Sequence, residues 1–112
     1  MRQVLFVAVL AMLALTFIAS QSVKSAPART AAVLWSKNCA SCHGKDGRAK
    51  TFKAKFNHAR DLTDGSWQSD VSDERIFNSI SKGRGKHMPG YSKKMTEQEI
   101  ESLVSFVRAL RR

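Results

Sequence analysis

The sequence predicts an all-α domain, because three stretches carry helix patterns and none shows the strict alternation expected of a strand. The clearest pattern is C-terminal, where Thr96 and Glu99 have the spacing of a capping box and apolar residues follow at helical intervals. The other two helices are expected to begin after Thr30 and Ser72, residue types that often cap helix N-termini. Polar segments that contain glycine connect the three helices.

The N-terminal segment of the 112-residue chain differs from the rest. Arg2 precedes a nearly uninterrupted apolar run over residues 4–19, and small and polar residues follow. This order is typical of a secretory signal peptide, here over residues 1–25, with cleavage between residues 20 and 26. The run is somewhat short for a spanning helix, although an uncleaved membrane anchor stays open as the alternative. One exported domain is therefore expected over residues 26–112.

The chain is strongly basic, with a formal net charge of +10. Residues 1–25 contain two basic and no acidic residues, so the charge falls to +8 without them. The basic residues are scattered through loops, with no aromatic interleaving and no helix-turn-helix pattern, so nucleic acid is not an expected partner. A surface that steers acidic protein partners fits this charge better.

The first predicted helix leads directly into residues 39–43, which read Cys-Ala-Ser-Cys-His. Helical spacing places Ala31, Leu34, Trp35 and Asn38 on one face, and Gly44 can end the helix. The C-x-x-C-H spacing is the attachment signature of c-type haem. The two thiols add to the two vinyl groups of the porphyrin, and the histidine that follows reaches the iron. Such haem is attached after export, which agrees with a signal peptide.

Cys39, Cys42 and His43 allow three other interpretations. A disulfide would close a very small loop and add little stability. A thioredoxin-type redox pair needs a βαβ setting that the chain does not show. Zinc needs four ligands, and the sequence has no second C-x-x-C or H-x-x-H. Covalent haem is therefore the favoured interpretation of the motif.

Residues 44–70 are polar, rich in lysine and arginine, and are predicted to form a loop. The apolar anchors of this loop are Phe52, Phe56, Leu62 and Trp67. We expect Phe52 and Phe56 to pack in the core beneath the loop, since buried aromatic residues usually do so. Long loops without structure are uncommon unless they surround a ligand, and a porphyrin edge would be that ligand.

The second helix carries Asp73 and Glu74 in its first turn, where the helix dipole favours negative charge. Val71 and Ile76 have the spacing of a hydrophobic staple, and Gly83 lies just past the expected end. In the last helix, one apolar stripe is predicted. It comprises Ile100, Leu103, Val104, Val107 and Leu110.

Residues 83–91 contain three glycines and a proline and are predicted to form an irregular loop around Met88. A second axial ligand to iron could come from Met88, His87, Met95 or His58. Glycines allow a close approach of the backbone and Pro89 stiffens it, which favours Met88. His87 is the main alternative because imidazole also binds iron well. Met95 is expected to pack against the last helix and His58 to be solvated.

Residues 39–44, the Met88-Pro89 loop and the residues 96–100 together make the chain resemble a small bacterial class I c-type cytochrome over roughly residues 30–110. The resemblance implies a cytochrome c fold, with three to four helices around one covalently bound haem. It also implies that the first and last helices cross, with Ala31 and Trp35 against Leu103 and Phe106. An apo form without haem is expected to be poorly folded, because so small a domain buries little apolar surface.

The resemblance further implies which residues bind the cofactor. His43 and Met88 would be the axial ligands, and Cys39 and Cys42 the attachment points. Relatives orient the histidine with a proline carbonyl; Arg60 stands at that position here, so its carbonyl would accept from a less rigid backbone. Trp67 matches an aromatic residue that donates to a haem propionate, although ordinary core packing explains it equally well.

By the same resemblance, the expected function is one-electron transport in the periplasm by a monomer that is not an enzyme, with redox partners that present acidic docking surfaces. Exposed charges that would assist docking are Lys37, Lys45, Arg84 and Lys86. Two alternatives stay open. One is a haem sensor or enzyme with a displaceable distal ligand. The other is an electron-transfer subunit of an oxidase or dehydrogenase complex, tethered to the membrane through residues 4–19.

Overall fold

The structure is a computed structural model that describes residues 27–112. The signal peptide and the alternative anchor predicted within residues 1–25 lie outside the described residues. In the described range the chain forms helices and no strand, apart from a single antiparallel bridge between Arg84 and Met88. The all-α prediction is confirmed. Among residues 27–112, no helix has the length and apolar character needed to cross a membrane.

Six helices follow one another in the described part of the chain. They are α1 (Ala31–Asn38), α2 (Ala40–His43), α3 (Phe52–Asn57), α4 (Gly65–Asp70), α5 (Asp73–Lys82) and α6 (Glu97–Ala109). Helix α1 packs against α6, α5 packs against α6, and α2 lies against both α1 and α3.

The first predicted helix is present but is interrupted at Cys39. Helix α1 begins after Thr30, whose hydroxyl accepts a bond from the backbone N–H of Val33. Cys39 then has φ −113° and ψ −40°, which tilts the chain between α1 and α2. Gly44, with φ 81°, ends α2 as expected. The interruption gives the cysteine motif a short turn of its own.

The prediction of a loop over residues 44–70 is wrong in part, because α3 and α4 lie within it. Thr51 caps α3 by accepting from the backbone N–H of Ala54, and Asp64 caps α4 by accepting from that of Trp67. Each helix has only six residues. That is too short for an apolar stripe to repeat, so the capping residues were the only sequence signal.

The two remaining helices are confirmed. Ser72 caps α5 and Gly83, with φ 79°, follows its last residue. Thr96 and Glu99 form the predicted capping box at the start of α6. Val71 and Ile76, the predicted staple, are both buried.

The core lies where α1, α5 and α6 meet. Its completely buried large side chains are Leu34, Ile100 and Leu103. The ring of Trp35 packs on that of Phe106 with 5.0 Å between centroids, so the expected contact between the first and last helices is present. Met95 is buried in this core, as expected.

The expectation for Phe52 and Phe56 is wrong. Their side chains are 77% and 64% exposed, and they contact each other edge to face at 4.9 Å. Both lie on α3, whose buried face is formed by Ala54 instead. The six-residue helix is capped and packed through its other face, so the aromatic pair points outward.

Candidate haem site

Helix α2 brings the two thiols and the imidazole to one side of a single turn. The backbone N–H groups of Cys42 and His43 both donate to the carbonyl of Cys39, at 3.1 and 2.9 Å. Residues three and four positions apart in a helix share a face. Cys39, Cys42 and His43 are all half-buried. The turn therefore presents two attachment points and one ligand to the same neighbourhood.

Side chains from α1 and from α3 with its N-cap support this turn. The indole N–H of Trp35 donates to the carbonyl of Gly44 at 3.2 Å, and the hydroxyl of Thr51 donates to the carbonyl of Cys42 at 2.9 Å. The amide of Asn57 lies 3.7 Å from the sulfur of Cys42. Sequence reasoning missed Thr51 and Asn57, because it assigned no helix to this region.

The imidazole of His43 is oriented by the backbone. Its Nδ1 lies 3.1 Å from the carbonyl oxygen of Arg60, the contact that the sequence analysis expected. Because a carbonyl only accepts, Nδ1 carries the proton and Nε2 is left as the metal-binding nitrogen. Burial lowers the pKa of His43, and the bond to Arg60 partly opposes this shift. The ring is therefore neutral near pH 7, the form that binds iron.

The cysteines have the properties of attachment points rather than of a redox pair or disulfide. Both thiols are free in the structure. Burial, assisted by the neighbouring Cys42, raises the pKa of Cys39 to about 11. Redox-active C-x-x-C pairs instead have a lowered pKa. Within residues 27–112, no group of three or more His, Cys, Asp or Glu side chains is arranged to hold a metal.

Met88 lies in a loop that backbone contacts hold closed; we call residues 83–91 the methionine loop. Arg84 and Met88 exchange backbone hydrogen bonds of 2.8 and 3.3 Å. A Cβ atom on Gly83 would lie 2.5 Å from the carbonyl oxygen of Met88, so only glycine fits there. The side chain of Met88 is half-buried and packs against the core that Cys39 also borders, whereas His87 is exposed.

Tyr91 connects the methionine loop to the cysteine turn and was not identified from the sequence. Its hydroxyl donates to the carbonyl of Asn38 at 3.1 Å, and its backbone N–H donates to Ile80 at 2.9 Å. The ring is buried, which raises the pKa of its hydroxyl. A single side chain thus fixes the end of the loop beside Cys39.

Arg60 and Trp67, the two remaining residues predicted to bind the cofactor, lie next to each other. The guanidinium of Arg60 stacks 6.0 Å from the ring centre of Trp67. Trp67 is half-buried and borders the core. His58 is exposed, as expected.

These residues fit a covalently attached haem. Two free thiols and an imidazole lie on one turn, and a thioether lies in a closed loop that borders the same core. This donor set matches c-type haem and not the other groups considered.

The sequence of the chain is similar to that of known proteins. Residues 26–107 match the family described as cytochrome c oxidase, cbb3-type, subunit III. The chain is 31% identical over 83 residues to the cbb3-type cytochrome c oxidase subunit FixP of Azorhizobium caulinodans, which covers 74% of this chain and 27% of that protein. It is 28% identical over 90 residues to the subunit CcoP of Azospirillum brasilense, covering 80% and 30%. The chain thus spans about a third of these relatives or less.

Solved structures give the same result. The KustC0563 c-type cytochrome superposes with a TM-score of 0.70 at 32% identity, covering 75% of this chain and 100% of that one. Cytochrome CL from Methylophaga aminisulfidivorans superposes with a TM-score of 0.58 at 22% identity, covering 72% and 51%. The second likeness concerns the fold alone. The predicted cytochrome c fold is confirmed.

Proposed function

Because the chain belongs to the c-type cytochrome family of cbb3-type cytochrome c oxidase subunit III, we propose that it is an exported, periplasmic one-electron carrier. Cys39 and Cys42 would hold one haem c covalently, and His43 and Met88 would ligate its iron. The observation that carries the proposal is the cysteine turn, with the neutral His43 directed by the carbonyl of Arg60 at 3.1 Å.

When bound, the haem supplies an iron that alternates between the ferric and ferrous states. The chain's own residues set the reduction potential of that iron. His43 donates from Nδ1 to a carbonyl, which makes Nε2 a better donor to the metal. The thioether of Met88 is neutral and weak and therefore favours the ferrous state, raising the reduction potential. With His43 and Met88 both ligating the iron, no position would be left for a substrate, so the chain would transfer electrons without acting as an enzyme.

Trp67 has a secondary role in this proposal. Its indole N–H donates to a haem propionate, while its ring packs on the core and under the guanidinium of Arg60. Both a hydrogen bond and apolar contact are typical of a tryptophan at the rim of a buried group.

The surface beside Cys42 suits partners that present acidic side chains around an apolar centre. Helix α3 is tied to Cys42 through Thr51 and Asn57, and it carries the exposed pair Phe52 and Phe56. Two exposed lysines, Lys53 and Lys55, lie on the same helix. Further exposed basic residues are Lys37, Lys45, Lys50, Arg84 and Lys86. Such a surface speeds encounter and leaves the complex short-lived, as a monomeric carrier requires.

A second candidate function is favoured by the relatives themselves. FixP and CcoP are named as subunits of cbb3-type cytochrome c oxidases. The chain would then serve as the electron-entry domain of such a complex, with residues 4–19 as its tether. Mass spectrometry of the mature protein separates the two. A soluble product that begins between residues 21 and 26 supports the carrier, and a membrane-bound product that retains residues 4–19 supports the subunit.

The proposed site is tested by absorption spectra of both redox states of the full chain after export to a bacterial periplasm. We expect c-type haem bands, together with the weak sulfur-to-iron band in the ferric form. Carbon monoxide added to the reduced protein should leave the spectrum unchanged. Rapid carbon monoxide binding would overturn the closed site and favour a sensor or enzyme.

A further inference from the structure

The carbonyl that orients His43 belongs to a segment without the proline that would stiffen it. Residues 59–62 read Ala-Arg-Asp-Leu, yet the Arg60 carbonyl lies at hydrogen-bond distance from His43. Something else must therefore hold residues 60–63 in place.

Part of that restraint is a local turn. The Oδ1 atom of Asp61 accepts from both the backbone N–H and the hydroxyl of Thr63, at 2.8 and 2.7 Å. The backbone N–H of Leu62 donates to the carbonyl of Gly47 at 2.8 Å. These bonds shape the segment, and the side chain of Leu62 also packs into the core.

A hydrogen-bonded link from this segment to helix α6 is made by Gln68, which is only 4% exposed. Its Nε2 donates to the carbonyl of Leu62 and to that of Val107, both at 2.8 Å. Its Oε1 accepts from the guanidinium of Arg108 at 3.1 Å. One amide therefore joins the segment that carries the Arg60 carbonyl to helix α6.

Arg108 makes this arrangement stiff. The same guanidinium donates to the backbone carbonyls of Gln68 and Val71, both at 2.6 Å, and to the carboxylate of Asp73. Gln68 is consequently held at its side chain and its backbone. A buried amide whose donors and acceptor are all used is costly to disturb, because each lost partner leaves a polar group unsatisfied.

We propose that Gln68 is a positioning residue for the iron ligand: by bridging Leu62 to Val107 it holds the Arg60 carbonyl against Nδ1 of His43. This inference rests on the proposed haem ligation. Gln68 acts through the backbone and replaces the stiffness that a proline would provide. Without the bridge, the bond from His43 lengthens and the imidazole turns. Its Nε2 becomes a poorer donor, so ferric iron is less stabilised and the reduction potential rises.

The experiment uses the holoprotein with Gln68→Met, which keeps the side-chain length but removes the amide, and Gln68→Glu, which keeps the acceptor for Arg108 but not the donor to Leu62. Ile76→Ala, a buried residue on α5, is the control for destabilisation alone. Reduction potentials are measured by redox titration, and the ligand orientation by the haem methyl proton shifts of the ferric form. We expect both Gln68 variants to raise the potential and to change the methyl shifts, and Ile76→Ala to lower thermal stability without either effect.

Because a buried substitution can prevent folding, Asp61→Ala on the surface provides a second route to the same segment. It removes the turn at Thr63 and should move the potential and the methyl shifts in the same direction by a smaller amount. The inference is overturned if the Gln68 variants match Ile76→Ala, or if Asp61→Ala leaves both readouts at wild-type values. A wild-type spectrum without the sulfur-to-iron band would instead contradict the proposed ligation itself.

Discussion

The two sides of the candidate iron site are built in different ways. On the histidine side, side chains from distant elements hold the cysteine turn and His43: Trp35, Thr51 and, through the backbone, Gln68. The methionine loop is held mainly by backbone bonds between Arg84 and Met88 and by a glycine that no other residue can replace, with one side-chain bond from Tyr91 at its end. The proposed histidine ligand is thus held mainly by side-chain contacts, and the proposed thioether ligand mainly by the path of the backbone.

This difference predicts how each side fails. Substitutions on the histidine side should lower the stability of the fold and shift the reduction potential of the iron, because the supporting side chains also belong to the core. Changes in the methionine loop should release the distal ligand while the rest of the domain stays folded. The following substitutions test this contrast, beginning with the largest expected effect.

Replacing both attachment cysteines, as Cys39→Ser with Cys42→Ser, should abolish covalent haem completely. The domain is small, and without the bound group it should lose cooperative thermal unfolding. Haem staining after denaturing electrophoresis and circular dichroism provide the measurements. Ser41→Ala, between the two cysteines and exposed, is the matched control and should keep both properties. Stained haem in the double variant would contradict the assignment.

On the methionine side, Gly83→Ala should cost more than Gly85→Ala. Gly83 has φ 79° and its Cβ would collide with the carbonyl of Met88, whereas Gly85 has φ 57° and open space around it. We expect about 1 kcal/mol for Gly85→Ala, the cost of a left-handed residue. Gly83→Ala should exceed about 2 kcal/mol, since a collision is added to the strain. Urea titration gives these values.

The same two glycine substitutions distinguish an effect on the methionine loop from an effect on the whole fold. The sulfur-to-iron band should weaken in Gly83→Ala and persist in Gly85→Ala, while covalent haem is retained in both. Equal effects of the two substitutions on stability and on the band would show that the backbone of the loop does not hold Met88.

Acid should weaken the bonds between Glu99 and Arg29, which hold the start of α1 on the histidine side of the site. Glu99 accepts from the guanidinium and the backbone of Arg29, the residue before the Thr30 cap, and from the backbone of Thr96. These bonds, chiefly that from the Arg29 side chain, lower the pKa of Glu99 from 4.5 to about 2. Its contribution to stability is present above pH 4.5 and is lost as the pH falls toward 2.

Thermal unfolding across this pH range checks the effect. Glu99→Gln should lower the melting temperature at pH 7 and reduce the loss of stability between pH 4.5 and about pH 2. Glu101→Gln, two positions along and exposed, should behave as wild type. An unchanged acid profile in Glu99→Gln would mean that this ion pair does not stabilise the domain.

The smallest effect on stability is expected for Phe52→Ser with Phe56→Ser. Both rings are largely exposed, so their loss should cost less than about 1 kcal/mol. Leu34→Ala, at a completely buried position, should cost about 2–5 kcal/mol. If the aromatic pair serves docking, the double variant should slow electron transfer to an acidic blue-copper protein but not to ferricyanide. A large stability loss would show that the pair belongs to the core.

Features that depend on residues close in sequence were predictable. The capping box at Thr96, the cysteine turn and the end of α5 at Gly83 each have a local signature. Features that depend on contacts with backbone far away in the sequence were not predictable. Gln68 follows Trp67 in a stretch without a helical repeat, and nothing in its sequence context indicates that its amide reaches Val107. The exposure of Phe52 and Phe56 was also inaccessible, because a six-residue helix does not reveal which face it buries.

The most direct test of the electron-carrier proposal compares Met88→Leu with His87→Leu in the full-length holoprotein, through the ferric absorption spectrum and the reduction potential. The proposal predicts that Met88→Leu removes the sulfur-to-iron band, lowers the potential and lets the reduced protein bind carbon monoxide, whereas His87→Leu matches wild type. A band and a potential that survive Met88→Leu, or that are lost in His87→Leu, would contradict the closed His43–Met88 site.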